Sequence, residues 1–197
     1  MKKIACILFL FTINLLAQEK VKSSEAYQED LNVFFADSLR SPLTKEDRDH
    51  FKGLDFFPVD KKFVVKARFV KAKRQKSFEM KTTTDRKPLY IKYGELHFSI
   101  DSTNLVLNVY KNIELSTKKG FADYLFLPFS DLSNGKESYI GGRFLDMTIP
   151  KSTDVLIDFN KAYNPYCAYN FKYSCPIVPL ENDLPIVIHA GVKKFHD

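Results

Sequence analysis

Apolar residues recur at helical spacing near the start of the chain. Over residues 24–39 they fall at steps of one, three and four, on one helical face: Tyr27, Leu31, Phe34, Phe35 and Leu39. The Ser24 hydroxyl can cap the first turn, and Pro42 ends the helix because proline disfavours helix in the residue before it. A second, short helical turn is predicted over residues 44–51.

From residue 61 onward the period of the apolar positions is two, as in a strand with one buried face. Gly94 and residues 101–104 predict turns, and Pro128 and Pro185 fit strand ends or a sheet edge. Without helical crossovers, this pattern predicts a mainly β fold, an antiparallel sandwich or barrel-like sheet with one N-terminal α-helix and a short second helical turn. The predicted strands are 63–70, 78–83, 96–101, 105–110, 123–129, 138–148, 154–159 and 184–190.

The first residues have the pattern of an export signal. Two lysines precede an apolar run over residues 4–16, which is shorter than the roughly 20 residues of a transmembrane helix. We expect cleavage after Ala17, which leaves residues 18–197 as a single β-rich domain, periplasmic or secreted, that does not span a membrane. Cys6 lies inside the run, whereas a lipid-anchored protein would carry its cysteine at the end. The alternative is an N-terminal core helix.

Composition and charge narrow the classes of function. The chain of 197 residues is 45% hydrophobic and 27% charged, which is typical of one globular domain. Removing residues 1–17, a signal peptide with two lysines and no acidic residue, lowers the formal net charge from +6 to +4. This balance does not indicate a nucleic-acid-binding protein. Eight basic residues over 61–76 could contact anionic groups, but a solvated strand face explains them more simply.

The sequence lacks the common catalytic and metal-binding motifs. It has no glycine-rich phosphate loop and no Gly-x-Ser-x-Gly motif. Its four histidines are scattered along the chain, and none pairs with another at metal-ligand spacing. We therefore expect neither a metal nor a cofactor, and the oligomeric state stays open.

Residues 158–182 hold an unusual concentration of Asn, Tyr and Cys. Asparagine stabilises turns and tyrosine joins a large apolar ring to a polar tip, so this segment is either a packed loop or the wall of a binding site. Cys167 and Cys175 are the only cysteines beyond residue 17. In an oxidising compartment such a pair predicts a disulfide, and a reactive thiol or half of a metal site is the alternative.

Motifs over nearly the whole mature chain resemble those of a known family. They include Phe-Ala-Asp at 35–37, Gly-Gly-Arg at 141–143, Asp-Phe-Asn-Lys-Ala-Tyr-Asn-Pro at 158–165, Cys-Ala-Tyr at 167–169 and Ser-Cys-Pro at 174–176. This pattern resembles an uncharacterised bacterial and archaeal family, domain of unknown function 1684. The family often has an acidic residue after its final Ala-Gly, where this chain has Val192. The resemblance implies a single domain and no particular activity.

The favoured hypothesis is an exported module that binds a small polar ligand, such as a sugar or a cell-wall fragment. Asparagine amides both donate and accept hydrogen bonds, tyrosines stack on sugar faces, and an arginine can hold a carboxylate or phosphate through two bonds. The predicted ligand-binding residues are Arg143, Asp158, Asn160, Tyr163, Asn164, Asn170 and Glu181.

Two other classes of function stay open. A hydrolase would use Asp158 and Glu181 as general acid and base, provided that both carboxyl groups face one cleft. A structural or interaction protein of the cell envelope would need a large exposed apolar patch, which the 18 phenylalanines could supply.

Overall fold

The computed structural model describes residues 22–196, so the predicted signal peptide and its cleavage site lie outside the described residues. Two helices, α1 (Ser24–Ala36) and α2 (Lys45–His50), precede a seven-stranded antiparallel sheet that curls into a half-barrel. The predicted mainly β class is therefore confirmed. Within the described part of the chain, no helix has the length and apolarity needed to cross a membrane.

The sheet has the strand order β6-β5-β4-β3-β1-β7, and β2 pairs with β3 outside this path. The predicted turn at 101–104 joins β3 to β4, and Asp101 adopts a positive φ of 51° there. The predicted strand 78–83 is shortened because the Thr82 hydroxyl bonds the carbonyls of Thr84 and Arg86 in a local turn. The strands are β1 (Val64–Lys71), β2 (Phe78–Glu79), β3 (Leu89–Ile100), β4 (Thr103–Asn112), β5 (Tyr124–Phe129), β6 (Arg143–Thr148) and β7 (Asp154–Asp158).

Side chains alternate between the two faces of the sheet, and both faces are buried in part. One face carries the main core, which includes Leu96 of β3, Leu107 of β4 and Leu127 of β5. The other face carries an aromatic cluster that includes Tyr110 and Phe126. Because β5 contributes to both cores, its sequence is a continuous apolar run rather than an alternating one.

Gly94 lies inside β3 and not in the predicted turn. The register of β3 against β4 shifts between Lys92 and Gly94, which marks a β-bulge. One extra residue reverses the alternation, so that Tyr90 faces the aromatic cluster and Leu96 faces the main core. A Cβ at Gly94 would lie 2.4 Å from the ring of Phe69, so glycine allows the close approach of β1.

The carboxamide of Asn182 lies between β4 and β5, which pair in register at Tyr110 and Phe126. Its Oδ1 accepts the Asn108 N–H at 2.8 Å, and its Nδ2 donates to the Asn108 carbonyl at 2.9 Å and to the Pro128 carbonyl at 2.6 Å. Pro128 has no N–H with which to pair with β4. Where β4 and β5 separate, the Asn182 side chain therefore bonds the backbone groups that have no partner on the other strand.

Helix α1 begins one residue earlier than predicted, because its N-cap is not Ser24. Ser23 is the N-cap, and its Oγ accepts the Ala26 N–H at 3.2 Å. The helix ends at Ala36, so Leu39 lies beyond it and is 94% exposed. The predicted second helix is confirmed, with Thr44 as its N-cap.

Polar residues on one face of α1 bind the helix to the rest of the domain. Three residues four positions apart share one face of the helix, and each forms a hydrogen bond to a distant segment. The bonds join Ser24 Oγ to Asp158 Oδ2 (2.8 Å), Gln28 Nε2 to the Asn160 carbonyl (3.0 Å) and the Leu54 N–H to Asn32 Oδ1 (2.9 Å).

Candidate functional site

Arg143 is fully buried and holds the segment that was predicted to be an eighth strand. Its Nη2 lies 2.7 Å from Asp131 Oδ2 and donates to the Ile188 carbonyl at 2.8 Å, and its Nη1 donates to the Ala190 carbonyl. Asp131 Oδ1 accepts the Ile188 N–H at 3.1 Å. These side chains thus bond the backbone at Ile188 and Ala190, and residues 184–190 do not form a strand. The position of Arg143 favours a structural role, because it offers no surface to a ligand.

Asn160 and Asp158 together hold the end of β7 in place. The Asn160 carboxamide donates to the Asp60 carbonyl and accepts the Asp60 N–H, both at 3.0 Å. Asp158 Oδ1 accepts both nitrogens of Asn160, at 3.1 Å and 3.0 Å, and Oδ2 lies 3.4 Å from Lys161 Nζ. Asp158 therefore has hydrogen-bond and ion-pair partners of its own.

The other asparagines of the 158–182 segment also bond backbone groups. Asn164 is buried and its Nδ2 donates to the Lys193 carbonyl at 2.8 Å. Asn170 Oδ1 accepts the Lys172 N–H at 3.2 Å in a local turn. These contacts favour the packed-loop interpretation of the segment over a wall of asparagine amides.

The two carboxylates of the hydrolase hypothesis lie in different places. Asp158 lies at the end of β7 beside α1, whereas Glu181 is exposed and accepts the Tyr110 hydroxyl at 3.2 Å, near β4. Asp158 lines a groove between the edges of β6 and β7, and Glu181 does not. The structure therefore does not bring this pair together in that groove.

Tyr163 contacts Asp146, which was not among the predicted site residues. The hydroxyls of Tyr163 and Tyr124 both donate to Asp146 Oδ1, each at 2.6 Å. Asp146 is exposed on β6. Two phenols from separate segments thus converge on one carboxylate oxygen and orient it.

The sheet register explains how these groups meet. Asp146 lies opposite Phe126 on β5, so Tyr124, two residues earlier on the same face, is its diagonal neighbour. Tyr163 joins them through an antiparallel bridge to Phe144, with N–H to carbonyl distances of 2.9 Å and 3.0 Å. The sequence signal was an acidic residue two positions after Phe144, on the face opposite the main core.

Asp146 lies in the wall of two cavities. The first, here called the aromatic pocket, has a volume of about 440 Å³ and is walled by Tyr27 and Phe34 of α1, by Phe126 and Phe144 of the sheet, and by Tyr163 and Tyr166. The second, the edge groove, has a volume of about 460 Å³ and opens between β6 and β7. Tyr27 and Asp146 line both cavities, so the site lies where they adjoin.

The phenols of this site stay protonated at neutral pH. Burial, and after it the negative charge of Asp146, raises the pKa of the Tyr27, Tyr124 and Tyr163 hydroxyls well above the ordinary value for tyrosine. Each hydroxyl therefore remains a hydrogen-bond donor over the physiological pH range. The site consists of one carboxylate, neutral donors and aromatic faces, which suits binding rather than proton transfer by a phenol.

Cys175 lines the aromatic pocket, with Cys167 beside it. Both are free, buried thiols in this structure, which therefore does not show the predicted disulfide, and the Cys167 N–H donates to Cys175 Sγ at 3.2 Å. A hydrogen bond from Cys175, with others from Tyr139 and Thr83, lowers the pKa of Cys167 to about 6. The same contact, together with burial, raises the pKa of Cys175. The pair thus favours a thiolate at Cys167.

Comparison with known proteins places the chain in a family. The sequence model of the family described as "Protein of unknown function (DUF1684)" matches residues 49–193. The solution NMR structure of an uncharacterised protein from Haloarcula marismortui is similar, with 31% sequence identity and a TM-score of 0.67. The match covers 86% of this chain and 91% of that protein. No curated protein matches. The chain therefore belongs to the DUF1684 family of proteins of unknown function.

Proposed function

We propose that this protein binds a small organic ligand in the aromatic pocket. The observation that carries the proposal is the carboxylate of Asp146, which the Tyr124 and Tyr163 hydroxyls hold at 2.6 Å in a pocket walled by aromatic rings. Pockets of a few hundred Å³ with apolar walls and a few oriented polar groups are typical of small-molecule sites. The residues proposed to contact the ligand are Asp146, Tyr27 and Tyr163.

A sugar or cell-wall fragment remains a suitable class of ligand. Aromatic walls stack against the apolar faces of sugar rings, and the Asp146 carboxylate accepts hydrogen bonds from hydroxyl groups. Of the residues predicted for this purpose, Tyr163 lines the aromatic pocket and Asp158 lines the edge groove. The side chains of the other predicted residues already bond protein groups. We therefore propose that the ligand binds in the adjoining aromatic pocket rather than against the asparagine-rich loop.

We also propose that the chain is exported and that Cys167 and Cys175 form a disulfide after export. The basic start and short apolar run support export. The contact between the two thiols supports the disulfide, because little rearrangement is needed to bring neighbouring sulfurs into a bond. In this proposal the disulfide stiffens one wall of the aromatic pocket.

The binding proposal can be tested by protein-observed NMR with two fragment sets, small methyl glycosides and small organic amines. We expect the amide signals of Tyr27, Asp146 and Tyr163 to shift together with at least one fragment. The Asp146→Asn variant should lose most of this response, because it removes the charge and keeps an oxygen that accepts the phenol hydrogens.

Asp154→Asn is the matched control, because Asp154 is also an exposed aspartate at the edge of the sheet. It should respond to fragments like the unmodified protein. If no fragment shifts signals at the aromatic pocket, the pocket is not the binding site. If both variants respond equally, Asp146 does not contact the fragment.

A further inference from the structure

The aromatic pocket carries a negative charge that has no ion-pair partner among the described residues. Asp146 is the one charged residue among the described residues that line it. No lysine or arginine in residues 22–196 forms an ion pair with Asp146 and Lys194 does not line the pocket. In the adjoining edge groove, by contrast, Asp158 lies 3.4 Å from Lys161. The pocket therefore favours a ligand group of positive charge.

The hydrogen bonds at Asp146 orient the carboxylate without neutralising it. Both phenols donate to Oδ1, and a neutral hydroxyl brings no positive charge to the carboxylate. Because the pKa of each phenol is raised, neither hydroxyl loses its proton and adds a second negative charge. A ligand cation would meet an oriented carboxylate in the wall of the pocket.

The walls of the pocket are suited to the same kind of group. The face of an aromatic ring is electron-rich and attracts an ammonium group within about 6 Å of the ring centre. Rings from three separate segments line this space, namely Tyr27 of α1, Phe144 of β6 and Tyr166. An anionic ligand would be repelled by Asp146 and would find no cationic side chain in these walls.

We propose that the aromatic pocket recognises a ligand through an organic ammonium group, held by the Asp146 carboxylate and the faces of the surrounding aromatic rings. This inference rests on the proposed binding function and specifies the chemical class of the ligand. The remainder of the ligand is a small apolar or sugar-like body that fits a space of about 440 Å³.

Choline and 3,3-dimethylbutan-1-ol are matched probes, because the alcohol replaces the trimethylammonium group by a tert-butyl group of similar shape without charge. We expect choline to bind at least about 10-fold more tightly in NMR titrations of the protein. In Asp146→Asn the ratio should fall below about 3-fold, and in Asp154→Asn it should be unchanged. Raising the salt concentration should weaken choline binding and leave the alcohol unaffected. The salt dependence can be measured on the unmodified protein, so it tests the role of charge without a substitution.

The outcomes distinguish a failure of the ammonium inference from a failure of the proposed binding function. Equal affinities for the two probes, or an advantage of choline that persists in Asp146→Asn, would overturn the ammonium inference. If methyl glycosides bind at the pocket and choline does not, the ammonium inference is wrong while the binding function stands. If neither probe nor any methyl glycoside binds at the pocket, both fail.

Discussion

Arg143 and Asp131 form an ion pair at 2.7 Å, and both side chains are completely excluded from solvent. The pair links β6 to the loop that follows β5, and both residues also bond the backbone of Ile188. A buried charge is tolerated where its partner and further hydrogen bonds compensate it. The glycines before Arg143 belong to this arrangement, since a Cβ at Gly142 would lie 2.7 Å from the Phe129 carbonyl oxygen.

Replacing Arg143 by methionine should destabilise the fold strongly, because Asp131 would stay buried without its partner. We expect the free energy of unfolding to fall by about 3–5 kcal/mol, measured by urea denaturation. Arg68→Met is the control, because Arg68 is exposed on β1, and it should change the free energy by less than about 0.5 kcal/mol. A loss below about 1 kcal/mol in Arg143→Met would show that the pair does not stabilise the fold.

Arg143 illustrates how far the sequence could predict the site. An arginine after two glycines is compatible both with a ligand contact and with a buried ion pair. Only the fold places Asp131, a residue 12 positions away, against it. Asp146 was missed for a related reason. Its two phenol partners lie 22 and 17 positions away, and the strand register and the bridge at Phe144 bring them together.

The fold itself could be predicted to a larger extent. The alternation in β1 arises from the burial of one face, which is a local property of the sequence. Gly94 was placed in a turn because a turn and a bulge require the same freedom of glycine. Residues 184–190 also alternate, but the backbone at Ile188 bonds the Asp131 and Arg143 side chains, and the segment does not complete a strand.

Replacing Asn182 by alanine should weaken the junction of β4 and β5. The substitution leaves the Asn108 N–H and the Asn108 and Pro128 carbonyls without the carboxamide that bonds them. Each buried group left unpaired costs about 1–3 kcal/mol, and since three groups are involved we expect a total loss of at least about 3 kcal/mol in chemical denaturation. Leu180→Ala, in the same short turn and 90% exposed, should change the stability little. Equal stability of the two variants would contradict this role of Asn182.

Protein isolated from the exported fraction should contain no free thiol if Cys167 and Cys175 are bonded. A bridge between them closes a loop of nine residues, counting both ends, and would stabilise the fold by roughly 2–3 kcal/mol. Denaturing the unreduced protein with an alkylating reagent present, followed by mass spectrometry, measures both residues. A reduced sample provides the control, in which both should be labelled. Labelling of both residues without reduction would refute the disulfide.

In the reduced protein, the alkylation rate of Cys167 should depend on pH with a midpoint near 6. Its pKa is lowered to about 6, and the thiolate is the reactive form. The rate with iodoacetamide should therefore be near its maximum at pH 7 and fall about 10-fold by pH 5. Cys175→Ala removes the main hydrogen-bond donor, so the midpoint should rise toward the ordinary thiol value of about 8.5. Thr83→Val, which removes a weaker donor, should raise it less. A midpoint near 8.5 in the unmodified protein would show that the contact with Cys175 does not stabilise the thiolate.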